Sequence, residues 1–363
     1  MTIDFHRMMN EAARLMRSGS LGDATAAIQQ ALGGASTGVT PARAREDVAP
    51  ARAREDDVID VEARVIAEPE GGPAARPDAA TRTPTESFTS GHFKNDGGAR
   101  DYKLFQPARD GRALPLVVML HGCTQDPDDF ARGTRMNALA RAQGFLVLYP
   151  SQSQRANAQR CWNWFKHNHQ ARDKGEPAIL AGLVRHVIAT HDVDPARVYV
   201  AGLSAGGAMA AILGDAYPDL FAAVGVHSGL PTGAATNVQT AFAAMSGGAQ
   251  PVRRSTRPGA TPPTIVFHGD ADTTVNVVNA ERIVEAAGLA ARPDVQRDAS
   301  RLGVPYTRRT WVDGQGVERA EQWTLHGAGH AWSGGDQAGS YTDPRGPDAS
   351  AEMLRYFLRH PKA

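Results

Sequence analysis

The chain contains 363 residues, with 39 basic and 39 acidic side chains, 42% hydrophobic residues and two cysteines. A formal net charge of zero argues against nucleic acid or an anionic membrane surface as a partner. Two cysteines are too few for a disulfide framework or for a four-thiolate zinc site.

Residues 1–34 predict a helical appendage. Apolar side chains recur at helical spacing from Phe5 to Met16 and again from Leu21 to Leu32, with serine and glycine between the two stripes. We expect this segment to serve in docking or oligomerisation. The sequence does not determine the oligomeric state. The amino terminus lacks the apolar core and cleavage site of a secretory signal, which favours a cytoplasmic location. No apolar run in the sequence is long enough to predict a membrane-spanning helix.

Residues 35–84 predict a disordered linker. The composition shifts to Ala, Pro, Arg, Glu, Asp and Gly, and PARAREDVA from Pro41 is followed by the near-copy PARAREDDV from Pro50. Such a segment buries too little apolar surface to offset its ordering entropy, and its charges keep it solvated.

Residues 85–363 show the pattern of a packed α/β domain. Buried parallel strands are predicted from five near-continuous apolar runs, at Leu114–Gly122, Phe145–Gln152, Arg197–Ser204, Phe221–Gly229 and Pro263–Asp270, and a last strand from Trp323–Leu325. Helical patterns lie between them at Phe130–Gln143, Ile179–His191, Gly206–Ala216 and Val277–Ala287. This alternation predicts a mostly parallel, doubly wound sheet with helices on both faces and a site at the carboxyl ends of the strands.

The strongest local motif is the pentapeptide Gly202-Leu203-Ser204-Ala205-Gly206, which has GxSxG spacing. It follows an apolar strand and opens a helical segment, which is the setting of a nucleophile elbow. The tight turn strains the serine backbone and requires small flanking residues, so Ser204 is the predicted nucleophile.

A serine nucleophile needs an acid and a base, which this kind of fold supplies in the order Ser, Asp, His. Asp272, in the loop after the predicted strand Thr264–Phe267, is the predicted acid, and Asp270 is the alternative. His268 itself is expected to hydrogen-bond that loop rather than act in catalysis. His330, in a glycine-rich loop, is the predicted general base.

His326 is the alternative base, but it lies close to the end of the last predicted strand.

Backbone N–H groups are expected to form an oxyanion hole, with Ala205 as the residue after the nucleophile and Cys123 in the LHGCTQ loop. Since the loops of Cys123 and Cys161 should lie over the same site, a disulfide is favoured over two buried thiols. The absence of a recognisable secretory signal argues for the thiols.

Loop tryptophans beside the serine predict an apolar substrate surface made by Trp162, Trp164 and Trp332, with core packing as the alternative. His167 and His169 have no third ligand nearby, so they predict a solvated loop and no metal site.

Five motifs in order carry a family resemblance: LHGCTQ, CWNWF, AGLSAGGAMA, FHGDADTTVNVVNA and GAGHAWSGG. From Phe88 to His360 the chain resembles the polyhydroxyalkanoate depolymerase-like esterases, which are relatives of the feruloyl and acetylxylan esterases within the α/β-hydrolases. The resemblance implies a serine esterase without a cofactor that acts on short-chain hydroxyacid polyesters such as poly(3-hydroxybutyrate). It implies the triad Ser204, Asp272 and His330, a Cys123–Cys161 pair, and Trp162 or Trp164 in the cleft.

Because that family includes secreted members, the resemblance implies an extracellular location for this chain. The amino terminus instead favours a cytoplasmic location. A feruloyl or acetylxylan esterase is the alternative function, since the same triad would serve a different cleft. A non-catalytic binding module is the alternative from another class.

Overall fold

The computed structural model describes residues 85–108, 111–248, 261–289 and 292–362. The helical appendage predicted for residues 1–34 and the linker predicted for 35–84 lie outside this range, so both stay predictions. None of the helices in the described ranges has the length and apolar character needed to span a membrane.

The strands of the described chain are β1 (Ser87–Asn95), β2 (Gly98–Gln106), β3 (Leu114–Leu120), β4 (Leu146–Pro150), β5 (Val193–Leu203), β6 (Ala223–His227), β7 (Thr264–Gly269), β8 (Asp294–Ala299), β9 (Pro305–Val312), β10 (Glu318–Leu325), β11 (Trp332–Ser333) and β12 (Thr342–Asp343). The first ten form one sheet in the order β1-β2-β4-β3-β5-β6-β7-β10-β9-β8, and β11 pairs with β12 in a separate parallel ribbon.

The six central strands, β4, β3, β5, β6, β7 and β10, pair in parallel. Strands β1 and β2 at one edge and β9 and β8 at the other pair antiparallel. Every residue of β3, β4 and β6 is buried, as expected for strands covered on both faces. All six residues of β8 are exposed, because this strand forms the outer edge.

The helices are α1 (Pro127–Thr134), α2 (Met136–Gln143), α3 (Gly175–Thr190), α4 (Ala205–Ala216), α5 (Val238–Met245), α6 (Val278–Ala286) and α7 (Ala349–Leu358), with a 3-10 turn at His167–His169. The single helix predicted for Phe130–Gln143 is two helices, since Arg135 between them adopts a left-handed conformation with φ 56°. The side chain of Asp126 caps α1, so that helix begins before the predicted start.

The core has two layers, one on each face of the sheet. Along β3, Leu116 and Val118 pack into the layer that contains α3 and α4, while Val117 and Met119 pack into the layer that contains α7. This alternation follows from the two-residue period of a strand. The predicted doubly wound α/β architecture is therefore confirmed.

Candidate active site

Ser204 lies in the turn between β5 and α4, with φ 57° and ψ −119°. A non-glycine residue at positive φ is strained, so the surrounding structure must hold it there. Its backbone N–H donates to the carbonyl of His227 at 2.9 Å. A Cβ at Gly206 would overlap the backbone of Leu120, and one at Gly202 would overlap Gly206. The two glycines of the motif therefore allow the close backbone approach that the turn requires.

Asp272 lies in the loop after β7, and both of its carboxylate oxygens accept hydrogen bonds. Oδ1 accepts from the amides of Thr274 and Val275, each at 2.8 Å, and Oδ2 lies 2.7 Å from Nδ1 of His330. Burial alone would raise the pKa of the Asp272 carboxyl, but His330 and His268 outweigh it and hold that pKa well below its ordinary value. The carboxylate is therefore ionised at neutral pH.

His330 lies in the loop after β10, and only 7% of its side chain is exposed. The hydrogen bond to Asp272 engages Nδ1, which makes Nε2 the nitrogen available on the other side of the ring. Ser204 and His330 line the same pocket. The three residues predicted as a triad thus comprise a bonded Asp–His pair and a serine that shares a pocket with the histidine.

The alternative residues, Asp270 and His326, form a second pair. His326 Nδ1 lies 2.8 Å from Asp270 Oδ2, and the other ring nitrogen lies 2.9 Å from Thr307 Oγ1. Both side chains are more than a third exposed, and neither belongs to the described wall of the pocket that contains Ser204. Because both imidazole nitrogens of His326 have partners, this pair lacks a nitrogen for the serine.

Two buried histidines, His268 and His227, hydrogen-bond loops around the site. His268 Nε2 lies 2.8 Å from the carbonyl of Val275, so this ring hydrogen-bonds the Asp272 loop as the sequence suggested. His227 accepts a hydrogen bond from the amide of Ser333 at 3.0 Å, and burial lowers its pKa to about 3. His227 is therefore neutral at ordinary pH.

The loop after β3 carries the second predicted oxyanion donor, the amide of Cys123. The neighbouring amides are engaged, since Gly122 donates to Oε1 of Gln125 at 2.9 Å and Thr124 donates to the carbonyl of Gln159 at 2.7 Å. Ala205 begins α4, and the first amides of a helix have no partner within it. Cys123, Ala205 and Ser204 all line the pocket.

Cys123 and Cys161 form a disulfide with an S–S distance of 2.03 Å, so the predicted bridge is confirmed. The segment that carries Cys161 is fixed further by Glu176, which accepts hydrogen bonds from the backbone and side-chain amides of Asn163, each at 2.7 Å, and from Arg100 at 3.0 Å. Burial alone would raise the pKa of Glu176, but the contact with His169, the hydrogen bond from Gln152 and the charge of Arg100 lower it.

The pocket has a volume of about 100 Å³ and opens to solvent. Its described wall comprises Gly122, Cys123, Gln125, Asn157, Cys161, Trp164, Phe165, Leu203, Ser204, Ala205, Leu230, Val238, Ala241, Phe242, Met245, Thr274, Val275, His330 and Tyr341. Apart from His330 and the polar groups of a few neighbours, the surface is apolar.

The tryptophans predicted to bind substrate divide between this wall and the core. Trp164 lines the pocket, whereas Trp162 and Trp332 are fully buried and are absent from its described wall. The indole of Trp162 donates to the carbonyl of His121 at 3.0 Å, and that of Trp332 donates to Ser350 Oγ at 3.0 Å. The structure therefore places the indoles of Trp162 and Trp332 in the core, which was the alternative to a substrate surface.

No cluster of three or more His, Cys, Asp or Glu side chains suited to a metal ion occurs within the described ranges. His167 and His169 belong to the 3-10 turn, and His169 Nδ1 accepts a hydrogen bond from the amide of Glu176 at 3.3 Å. His169 is thus part of the buried network around Glu176 rather than a solvated side chain.

Sequence reasoning missed α5, which supplies four of the wall residues. Its signals are present: Asn237 and Thr240 form a capping box, and apolar residues follow at helical spacing from Val238 to Met245. The helix is short and lies between two strands whose patterns are stronger.

A parallel sheet covered on both faces, with a serine at a strand–turn–helix elbow, defines the α/β-hydrolase fold. The structure is similar to an acetyl xylan esterase from Aspergillus awamori, with a TM-score of 0.58 and 19% sequence identity over 75% of this chain and 99% of that chain. At that identity, the likeness shows the fold.

The family follows from sequence comparison. A model of the family described as "Esterase PHB depolymerase" matches residues 101–290, just over half of the chain, so the chain belongs to this family. The family resemblance seen in the motifs is thereby confirmed.

Relatives differ in their named substrates. The chain is 33% identical to poly(3-hydroxyalkanoate) depolymerase C of Paucimonas lemoignei over 250 residues. The match covers 65% of this chain and 59% of that protein. It is 27% identical over 327 residues to poly(3-hydroxybutyrate) depolymerase of Ralstonia pickettii, covering 82% of this chain and 64% of that protein. Feruloyl esterase B of Thermothelomyces thermophilus is 27% identical over 217 residues, covering 55% of this chain and 74% of that protein. The chain thus matches less than two thirds of the length of either depolymerase.

Proposed function

We propose that the protein is a serine carboxylic ester hydrolase in which Ser204, His330 and Asp272 form the catalytic triad. The observation that carries the proposal is the bonded His330–Asp272 pair in a pocket shared with a serine at a strained elbow. Asp272 orients the imidazole and stabilises the imidazolium that forms when His330 takes the serine proton. Residues 85–363 would form the catalytic domain.

The reaction proceeds through an acyl-enzyme. Ser204 Oγ attacks the ester carbonyl carbon as its proton passes to His330, and the N–H groups of Cys123 and Ala205 stabilise the oxyanion. His330 then protonates the departing alcohol. A water molecule then attacks the acyl-enzyme as its proton passes to His330. The bond between the acyl carbon and Ser204 Oγ breaks, His330 returns the proton to Oγ, and the acid is released.

The substrates we propose are polyesters or oligoesters of short-chain hydroxyalkanoic acids. Support comes from the family and from the two depolymerases among the relatives. The alternative is a feruloyl or acetylxylan esterase, which the similarity to feruloyl esterase B supports. Release of hydroxybutyrate oligomers from amorphous polyester would support the first function, and turnover of ethyl ferulate or acetylated xylan alone would support the second.

The triad is tested by hydrolysis of p-nitrophenyl butyrate. Ser204→Ala is expected to lower kcat by about six orders of magnitude, because triad members act as a unit. Equal rates for the variant and the unmodified protein would overturn the proposal and leave a non-catalytic binding role. Circular dichroism of the variant checks that its fold is intact.

A further inference from the structure

One wall of the Ser204 pocket is a single helix face. Val238, Ala241, Phe242 and Met245 of α5 all line the pocket, and their spacing places them on one side of the helix. We propose that this face binds the apolar group of the ester substrate, that the group is an alkyl chain longer than methyl, and that Phe242 and Met245 set its preferred length. The inference rests on the proposed function and adds the substrate class that the pocket selects.

Other parts of the described lining also carry apolar side chains. Trp164 and Phe165 pack edge to face, with ring centroids 5.8 Å apart, and Leu230 and Val275 line the same pocket. None of the described lining residues is Asp, Glu, Lys or Arg. A heavily hydroxylated group would lose hydrogen bonds to water on entering such a surface, whereas an alkyl chain gains from leaving water.

The apolar side chains of α5 are partly exposed. Val238, Phe242 and Met245 are half-buried, while Ala241 and Ala244 beside them are buried. Covering a half-buried Phe and Met with an alkyl chain removes apolar area from both partners. An alkyl chain that covers this face of α5 therefore binds more favourably than a methyl group, which buries too little apolar area.

The helix is held in place independently of any substrate. Its first turn is capped by the capping box of Asn237 and Thr240. Its last turn is hydrogen-bonded to residues at the start of α6 and just before it. Asn276 N–H donates to the carbonyl of Met245 at 2.8 Å, and Asn279 Nδ2 donates to the carbonyl of Ala244 at 3.0 Å. These anchors follow closely after Asp272 in sequence, so the apolar wall and the acid share one supporting segment. A fixed wall loses little entropy on binding and can discriminate chain lengths.

The test is a chain-length series on the full chain. kcat/KM is measured for p-nitrophenyl acetate, butyrate, hexanoate and octanoate, and for methyl to hexyl butyrates, which lengthen the alcohol instead. In at least one series we expect an increase of roughly two- to fourfold per methylene, levelling where the pocket is filled. A flat or falling profile in both series would overturn the inference while leaving the ester hydrolase intact.

Variants assign the effect to α5. In the series that shows the increase, Phe242→Ala and Met245→Glu should each lower the ratio of kcat/KM for the longest chain to that for the shortest at least tenfold. The first removes apolar surface and the second adds a charge to it. Gln239→Ala, on the exposed side of the same helix, is the matched control and should keep the profile of the unmodified protein. If either folded variant retains that profile, its residue does not set chain length. Absence of hydrolysis of every ester by the unmodified protein would instead contradict the proposed function itself.

Discussion

His268 Nε2 lies 3.4 Å from Asp272 Oδ2, the same oxygen that accepts the hydrogen bond from His330. The hydrogen on this nitrogen is fixed, because its closer partner, the carbonyl of Val275 at 2.8 Å, can only accept. Two imidazole N–H groups therefore face one buried carboxylate. This arrangement stabilises the charged form of Asp272 and limits its rotation.

Replacement of His268 should impair the site through Asp272. His268→Phe removes the hydrogen bond to Val275 and the 3.4 Å contact with Asp272. It is expected to lower kcat for p-nitrophenyl butyrate by about tenfold to a hundredfold, which corresponds to one lost interaction with a charged group. His268→Gln keeps a side-chain donor and should recover part of that loss. Equal activity of the two variants would contradict a role for the hydrogen bond.

The two Asp–His pairs predict opposite outcomes for matched substitutions. Asp272→Asn should lower kcat by about 10⁴, because an amide no longer enforces the tautomer of His330 that accepts a proton. Asp270→Asn should stay within about threefold of the unmodified protein, since Asp270 bonds the exposed His326. A comparable loss from Asp270→Asn would transfer the acid role to that residue.

The depressed pKa of Asp272 links stability to pH. A group whose pKa is lower in the folded state than in the unfolded state stabilises the fold above its unfolded pKa, here about 3.9, and loses that contribution as pH falls toward its folded value. The free energy of unfolding in urea should therefore be larger for the unmodified protein than for Asp272→Asn between about pH 5 and 7. The difference should shrink below about pH 4, and a difference that grows with acidification would contradict the assignment.

The disulfide should stabilise the fold and the oxyanion loop together. Closing a loop with a sequence separation of 38 residues is worth about 4 kcal/mol in the chain-entropy treatment. Dithiothreitol is expected to lower the Tm and to reduce kcat, because Cys123 carries a proposed oxyanion donor. The double variant Cys123→Ala/Cys161→Ala serves as the control, since its Tm should not respond to dithiothreitol. An unchanged Tm of the unmodified protein, with thiol titration proving reduction, would contradict this prediction.

Glu176 is expected to contribute strongly to the stability of the fold. Glu176→Gln leaves the buried Arg100 without its anionic partner and should destabilise the protein by about 3 kcal/mol, measured by urea unfolding. Glu285→Gln, on the exposed surface of α6, is the control and should change stability by less than about 0.5 kcal/mol. A loss below about 1 kcal/mol for Glu176→Gln would show that the network tolerates a neutral amide.

The central sheet and the elbow were predictable because their physical constraints are visible in the sequence. Strands covered on both faces must be apolar throughout, as β3 and β4 are, and the turn at Ser204 requires Gly202 and Gly206. The edge strands were missed because exposure removes that pattern, and β8 has no buried residue. The catalytic roles of Ser204, Asp272 and His330 stay predictions.

The aromatic residues show where sequence patterns carry too little information. Trp162 and Trp164 lie outside the helices and strands and Trp332 lies in the short strand β11, and composition alone does not show which way an indole points. The distinction depends on distant partners, the carbonyl of His121 and the hydroxyl of Ser350, which hold two of the three indoles in the core. Only the folded chain brings those partners within reach.

The outermost strand β8 has a consequence for handling the protein. Its exposed side chains include Asp294, Arg297 and Asp298, which would be desolvated if a second sheet edge paired with this one. Charges of both signs at such an edge oppose cross-molecular strand addition. Concentrated solutions of the folded domain are therefore protected at this edge against β-mediated aggregation.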